Sequence, residues 1–193
     1  MRYVFVDCGA CKCGATRIFL DQGFENWDYY LFEPSPKLSQ CYGRLLKDYP
    51  QINFVYSKKA VWIEDAETEF YFSQRGNEGA TICREKYSNK VDHDNPIKVK
   101  TIDFSSWFKE TMNKNDYIIL KIDIEGAEYE VLNKMIDDGT LAYVNEVIIE
   151  FHGRKKMKCT KRHHKLYAKI KKYLLSRNIP IFQDNHRKIK LWD

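Results

Sequence analysis

No apolar run in the sequence is longer than a strand, so no segment can cross a bilayer as a helix. The dinucleotide fingerprint G-x-G-x-x-G is missing, which argues against a nicotinamide cofactor. The phosphate-binding G-x-x-x-x-G-K-[ST] is missing too, which argues against ATP hydrolysis. The six cysteines have no regular spacing. Cys8, Cys11 and Cys13 lie close together, but no second pair accompanies them and Cys41, Cys83 and Cys159 are scattered, so a thiol metal site is not expected. A chain of 193 residues buries a core without disulfides, so the thiols are expected to be reduced and the protein cytoplasmic. A strand candidate opens the chain at once, so no secretory leader is expected. Repeats and linkers are absent, and the expectation is one domain over residues 1–193. One further absence is local. Between Phe151 and Gln183 there is no acidic residue, while eleven cations fall there, from Arg154, Lys155, Lys156 and Lys158 through Lys161, Arg162, Lys165, Lys169, Lys171 and Lys172 to Arg177.

What is present suits a globular fold: 44% hydrophobic and 15% aromatic residues. Strands are expected at 2–7, 28–33, 52–56, 116–123 and 145–151. Several are near-continuous apolar runs, as parallel strands covered on both faces require. Helices are expected at about 14–22, 36–48, 127–138 and 160–177. The helix from 127 carries Val131, Leu132, Met135 and Ile136 on one face and Gly139 just past its end; the last helix carries Leu166, Ile170, Tyr173 and Leu174 on one stripe. Residues 58–73 read as an inserted β-hairpin turning near Glu64–Ala66, and the tail as a second hairpin turning around Asp184–Asn185. Residues 74–96 read as a polar surface loop. The fold class is α/β: a Rossmann-like, doubly wound, mostly parallel sheet with an antiparallel C-terminal hairpin.

Asp7, Glu33, Asp123 and Glu150 each stand at or beside the C-terminal end of an apolar run. Open α/β sheets bind ligands outside those ends. A lone buried carboxylate costs several kcal/mol or more, so four along one edge point to a cleft rather than a core. Gly9 permits a tight turn and a close approach of backbone to ligand, and Glu33 is placed to accept both hydroxyls of a ribose. An aspartate directly before the turn opposes a diphosphate but suits a cation. S-adenosylmethionine, with an ammonium, a sulfonium and a ribose, fits these charges best.

"VDCGACKCGATRIF", "FEPSP", "KAVWIEDAETEFYFS", "VKTIDFSSWF", "ILKIDIEGAEYEVL" and "EVIIEFH" occur in the order seen in FkbM-type S-adenosylmethionine-dependent methyltransferases. The chain resembles that family over residues 3 to about 152, most specifically in "KIDIEGAE". The resemblance implies O-methyl transfer, with sugar hydroxyls of glycans or glycoconjugates as acceptors. It implies that Asp7, Gly9 and Ala10 contact the amino-acid end of the cofactor, Glu33 its ribose, and Ala60 and Val61 its adenine side. The family loop D-x-G-A-N-x-G is altered here: Cys11 replaces the asparagine, Cys13 the glycine, and Gly14 follows one place later as the cofactor-loop glycine. The basic segment beyond His152 falls outside the pattern.

Methyl transfer from a sulfonium is an in-line displacement in which the protein aligns the acceptor and handles its proton. Asp123 and Glu125, spaced i and i+2, point the same way if the strand continues, and Glu150 and His152 repeat the spacing next door. Asp123 or His152 is the expected proton acceptor, with Glu125 and Glu150 orienting substrate or ligating Mg²⁺ or Mn²⁺. Lys121 is expected to neutralise a carboxylate, Gly126 to permit a sharp exit, and Glu128 to favour the helix dipole. His163 and His164 read as a solvated helix face, and Trp62, Trp107 and Trp192 as packing. The basic segment 154–177 calls for an anionic substrate or nucleic acid. That keeps two alternatives open: an RNA ribose 2'-O-methyltransferase, and a non-catalytic nucleotide- or RNA-binding module.

Overall fold

The computed structural model describes residues 1–74, 76–87, 90–153, 157–158, 160–184 and 189–191. In chain order the elements begin with β1 (Tyr3–Cys8), α1 (Gly14–Asp21), β2 (Asp28–Phe32), α2 (Ser39–Asp48) and β3 (Phe54–Ser57). Then come β4 (Ala60–Trp62), β5 (Glu67–Ser73), β6 (Gly76–Thr81), β7 (Ile97–Asp103) and α3 (Phe104–Thr111). Last are β8 (Tyr117–Ile122), α4 (Glu128–Asp137), β9 (Glu146–Ile149), α5 (Lys161–Ser176), β10 (Ile181–Asp184) and β11 (Ile189–Leu191).

Strand periodicity sorts the apolar residues into two cores. Val4, Val6 and Cys8 of β1 lie in one with Ile118, Leu120 and Ile122 of β8, under Phe104 and Phe108 of α3, Leu132 of α4 and Ile170 of α5. Phe5 and Ile119 point the other way, under Phe19 and Leu20 of α1 and Leu45 of α2. Both faces of the sheet are therefore covered, which is why its strands read as unbroken apolar runs. The sheet has seven strands in the order β11-β10-β9-β8-β1-β2-β3, and every pairing is parallel except the terminal β10–β11. This is the doubly wound layout expected, with its antiparallel edge. Of the expected Asp184–Asn185 turn, Asp184 ends β10, while Asn185, like Trp192, lies outside the described residues.

A second sheet, β4-β7-β5-β6, modifies the expected insertion. Both strands of the 58–73 hairpin exist, but they do not pair with each other. β7 lies between them, parallel to β4 and antiparallel to β5. The hairpin partner of β5 is β6, formed from the stretch expected to be loop. β7 reads IKVKTID with Val99 and Thr101 buried, an alternation that pairs a half-buried strand on both sides. Asp103 caps α3 by accepting a hydrogen bond from Ser106 N at 3.2 Å. The other helix ends agree with the sequence: Gly139 has φ 76° just beyond α4, and Ile170 and Leu174 are the buried stripe of α5.

Candidate active site

The turn after β1 is locked against β2 and β8. Gly9 has φ +83°, and a Cβ there would lie 1.9 Å from the carbonyl oxygen of Asp123, so only glycine fits. Gly9 N and Ala10 N both donate to Phe32 O at 3.0 Å, tying the turn to the end of β2. Cys11 and Cys13 take positive φ, 48° and 60°, and Cys13 N donates to Ala10 O. Cysteine thus occupies a left-handed position directly before Gly14, which opens α1, is exposed and has free space where a Cβ would stand. Burial pushes the Cys11 and Cys13 thiols up to about 12, which makes them unreactive.

Asp7 is fully buried under this turn. Its Oδ2 accepts from Thr16 Oγ1 at 2.9 Å and its Oδ1 lies 3.2 Å from Lys121 Nζ, which also donates to Gly9 O at 3.0 Å. The neutralising role expected of Lys121 is what the structure has. Asp7, by contrast, faces internal partners rather than the crevice, and secures the turn from below.

At the end of β2, Glu33 accepts from Cys11 N at 2.9 Å and from Ser35 N at 2.8 Å, one bond on each oxygen. Burial pushes this carboxyl above its usual range, and the two N–H donors partly offset that. Each oxygen keeps a second lone pair. Ser35 is buried beside it, and its hydroxyl has no partner among the described residues. Ala60 and Val61 open β4 with both side chains packed, Val61 in the main core and Ala60 with Phe70 and Val99.

Beyond β8 the strand does not continue. It ends at Ile122, and the chain leaves through Glu125 and Gly126 at φ 58° and 117°, so the i, i+2 rule does not set the geometry. The carboxylates converge for another reason: they gather around His152, which is 1% exposed. Its Nε2 lies 2.6 Å from Glu125 Oε2, and its Nδ1 lies 3.0 Å from Glu128 Oε1. Asp123 Oδ1 and Glu150 Oε1 are 3.9 and 4.0 Å from Nε2. Two carboxylates on two ring nitrogens require two N–H donors, so the ring is an imidazolium. Burial alone would discharge it, but Glu128 and Glu125 outweigh burial and lift its pKa to about 10. Burial pushes Glu125 up, and the hydrogen bond from His152 with the nearby charge of Lys86 brings it down to about 2. Asp123 goes the other way. Burial carries its carboxyl up to about 6 against the pull of Lys121 and His152.

Two of these groups were not expected. Glu128 does more than favour the dipole of α4: it turns back to accept from Ile124 N at 3.0 Å and Gly126 N at 3.1 Å, holding the exit turn closed while it binds His152. Lys86, from the supposed surface loop, is wholly buried; its Nζ donates to Gly79 O at 2.7 Å and to Glu125 Oε2. The same segment reaches the site again where Thr81 Oγ1 donates to Glu125 O at 2.8 Å. The result is a buried chain of alternating charge, Lys86–Glu125–His152–Glu128.

Asp123, Glu128 and His152 are grouped closely enough for a metal, with one donor atom from each within 4.8 Å of the others. The donor set does not fit one. A ligating histidine must be neutral with a free nitrogen, whereas both nitrogens of this ring face carboxylates. Glu128 Oε1 already serves two N–H groups as well as the ring. The cation at the centre of these carboxylates is the imidazolium, with Lys86 behind Glu125.

Of the residues expected at the site, the structure brings Asp123, Glu125, Glu150 and His152 together around one point. Gly9 and Glu33 line the neighbouring strand ends. Asp7, Ala10, Ala60 and Val61 are buried in their surroundings, and Gly14 stands at the exposed start of α1. His163 is not simply solvated: it forms a capping box with Thr160 and sets its ring against Tyr129 at 5.4 Å. Trp62 and Trp107 pack against the main core.

An α/β sheet with a glycine turn after its first strand and acids at successive strand ends is consistent with a Rossmann-like methyltransferase fold. The profile of the Methyltransferase FkbM domain matches residues 7–178, and the chain belongs to that family of methyltransferases. The match runs past His152 through α5, so the basic helix is part of the family domain rather than outside its pattern. Comparison with curated proteins gives no match.

Proposed function

We propose that the protein is an S-adenosylmethionine-dependent O-methyltransferase acting in the cytoplasm on a sugar hydroxyl of a glycan or glycoconjugate. The observation that carries the reading is the set of strand-end groups around the Gly9 turn: Glu33 and Ser35 after β2, and Asp123 with the imidazolium-centred carboxylates after β8 and β9. Among the buried oxygens there, Ser35 Oγ and Asp123 Oδ1 accept or donate no hydrogen bond among the described residues. A ligand carrying hydroxyls and a cationic head supplies what they lack. When bound, S-adenosylmethionine provides a methyl group already activated on a sulfonium.

The residues divide the remaining work. Glu33, held rigid by Cys11 N and Ser35 N, offers its free lone pairs to the ribose hydroxyls. Asp123, with its carboxyl raised to about 6, is ionised at neutral pH yet a better base than an exposed aspartate, and takes the acceptor's proton. With that proton held on Asp123, an acceptor oxygen aligned with the methyl would form the new O–C bond as the C–S bond of the sulfonium broke and the neutral thioether left. His152 keeps its own protons and acts by position, holding Glu125 on one side and Glu128 on the other. Thiols that are all unpaired among the described cysteines suit the cytoplasm.

Transfer of tritium from methyl-labelled cofactor to free sugars, glycoconjugates and RNA, with and without a chelator, tests the reading. Label in a sugar hydroxyl, undiminished by the chelator, is expected. Label in RNA alone would replace this reading with ribose methylation, and cofactor binding without transfer to any class would favour a non-catalytic module.

A further inference from the structure

The outward face of α5 carries charge with no internal counterpart. Arg162 and Lys169 lean to the flank, where Arg162 meets Glu130 at 2.7 Å and Lys169 meets Asp137 at 2.5 Å, both on α4. Lys161, Lys165 and Lys172 stand on the opposite side from the buried Ile170 and Leu174, in one row with exposed Ala168. None of the three makes an ion pair among the described residues. From Lys161 to Leu175 the row spans roughly 21 Å at 1.5 Å per residue. Its last member is Leu175, an apolar side chain left 58% exposed.

Stability does not explain the arrangement. The first turn of α5 has no acid, and Lys161 and Arg162 stand at the helix end where the macrodipole disfavours cations. There is no acid between Phe151 and Gln183, and the acids of α4 reach only the flank, at Arg162 and Lys169, so the row itself is open to an external counter-charge. The chemistry of the partner follows from what accompanies the charge. The tyrosines of the helix are turned away from the row, Tyr167 with its ring against Phe151 at 5.1 Å and Tyr173 packed on the core, and the ring beside the row is the exposed imidazole of His164. An exposed leucine in line with the lysines has no role on a polyanion in water, but it suits the boundary between lipid headgroups and acyl chains.

We propose that α5 is a docking face for an anionic membrane surface, with Lys161, Lys165 and Lys172 on the headgroups and Leu175 in the acyl boundary. The face begins at the rim of the active site. Arg162 and His163, in its first turn, touch Glu130 and Tyr129, and Tyr129 donates from its hydroxyl to His152 O at 3.2 Å. Docking would hold the site opening close to the bilayer plane, where a lipid-borne acceptor would be presented. The docking itself does not depend on which hydroxyl is methylated.

The test is sedimentation of the full chain with phosphatidylcholine vesicles, with and without phosphatidylglycerol. Binding to the anionic vesicles alone, weakening with salt, is expected. At roughly fivefold per basic residue near such a surface, the charge-reversed triple variant Lys161→Glu/Lys165→Glu/Lys172→Glu should bind at least about a hundredfold more weakly. Leu175→Ser should weaken binding several-fold while leaving the salt slope unchanged. Circular dichroism of these surface variants should match the parent. Equal binding of parent and triple variant, absence of binding to anionic vesicles, or tighter binding to a single-stranded RNA oligonucleotide than to vesicles would each overturn the proposal.

Discussion

Replacing Lys86 by methionine removes one charge from the interior of the site and tests how the site is held together. Lys86 is 0% exposed and its partner Glu125 19% exposed. The variant leaves Glu125 beside three other carboxylates with only His152 to balance it, and leaves Gly79 O without its donor. Removing one member of a buried pair costs about 3–5 kcal/mol, and an orphaned carbonyl about 1–3 kcal/mol. Because Glu125 keeps His152 and some solvent, the lower end applies, and about 3 kcal/mol is expected. For a chain of this size that lowers Tm by roughly 6–12 °C. Urea unfolding followed by tryptophan fluorescence measures it, since Trp27, Trp62 and Trp107 all pack against the cores. Glu125→Gln alone should also destabilise, by leaving Lys86 buried without a counter-charge. The double variant should cost less than the two singles together, with a coupling of about 2 kcal/mol. A single-variant cost below about 0.5 kcal/mol, or strict additivity, would refute the buried pair and with it the claim that the 76–87 segment is built into the site.

The glycines of the first turn should separate. Gly9→Ala must move the backbone of Asp123 and is expected to cost about 3 kcal/mol or more, whereas Gly14→Ala meets nothing and should stay within about 1 kcal/mol, as thermal unfolding would report. The imidazolium gives a pH signature. Raised from 6.5 to about 10, His152 contributes stability that is fully present below pH 6.5 and lost as pH rises through about 10. Glu125, lowered from 4.5 to about 2, contributes stability that is present above pH 4.5 and lost as pH falls through about 2. The urea midpoint should therefore decline between about pH 7 and pH 10, and His152→Gln should remove most of that decline. Methyl transfer should rise with pH through about 6, where Asp123 ionises, and then level off. Asp123→Asn should lower kcat by about 10²-fold or more with little change in the KM for the cofactor.

The sheet was readable because its strands are covered on both faces: YIILKI and EVII are nearly unbroken apolar runs, and Gly139 ends its helix where glycine should. The second sheet was less readable. β6 reads GNEGAT, with no apolar run, and its pairing with β5 depends on partners rather than propensity. At the site, the carboxylates announced themselves by standing at the ends of apolar runs. Lys86 gave no such signal. A lysine in a polar stretch reads as solvated, and only the folded chain brings it to Glu125. Ser35 lay inside the FEPSP motif, and its unpartnered hydroxyl became visible only once its burial was known. His152 stood out in the sequence as a candidate, but its contacts turn on Glu128, which local helix logic assigned to the dipole. The ring's two nitrogens facing two carboxylates make it a holder of protons, which is why the proposed base is Asp123.

Calorimetric titration of the folded protein with S-adenosylmethionine tests the central claim, that the acidic strand ends receive a cationic methyl donor. One molecule should bind per chain, more tightly to the parent than to Glu33→Gln. A well-folded protein that takes up no cofactor, or a Glu33→Gln variant that binds it as well as the parent, would contradict the account.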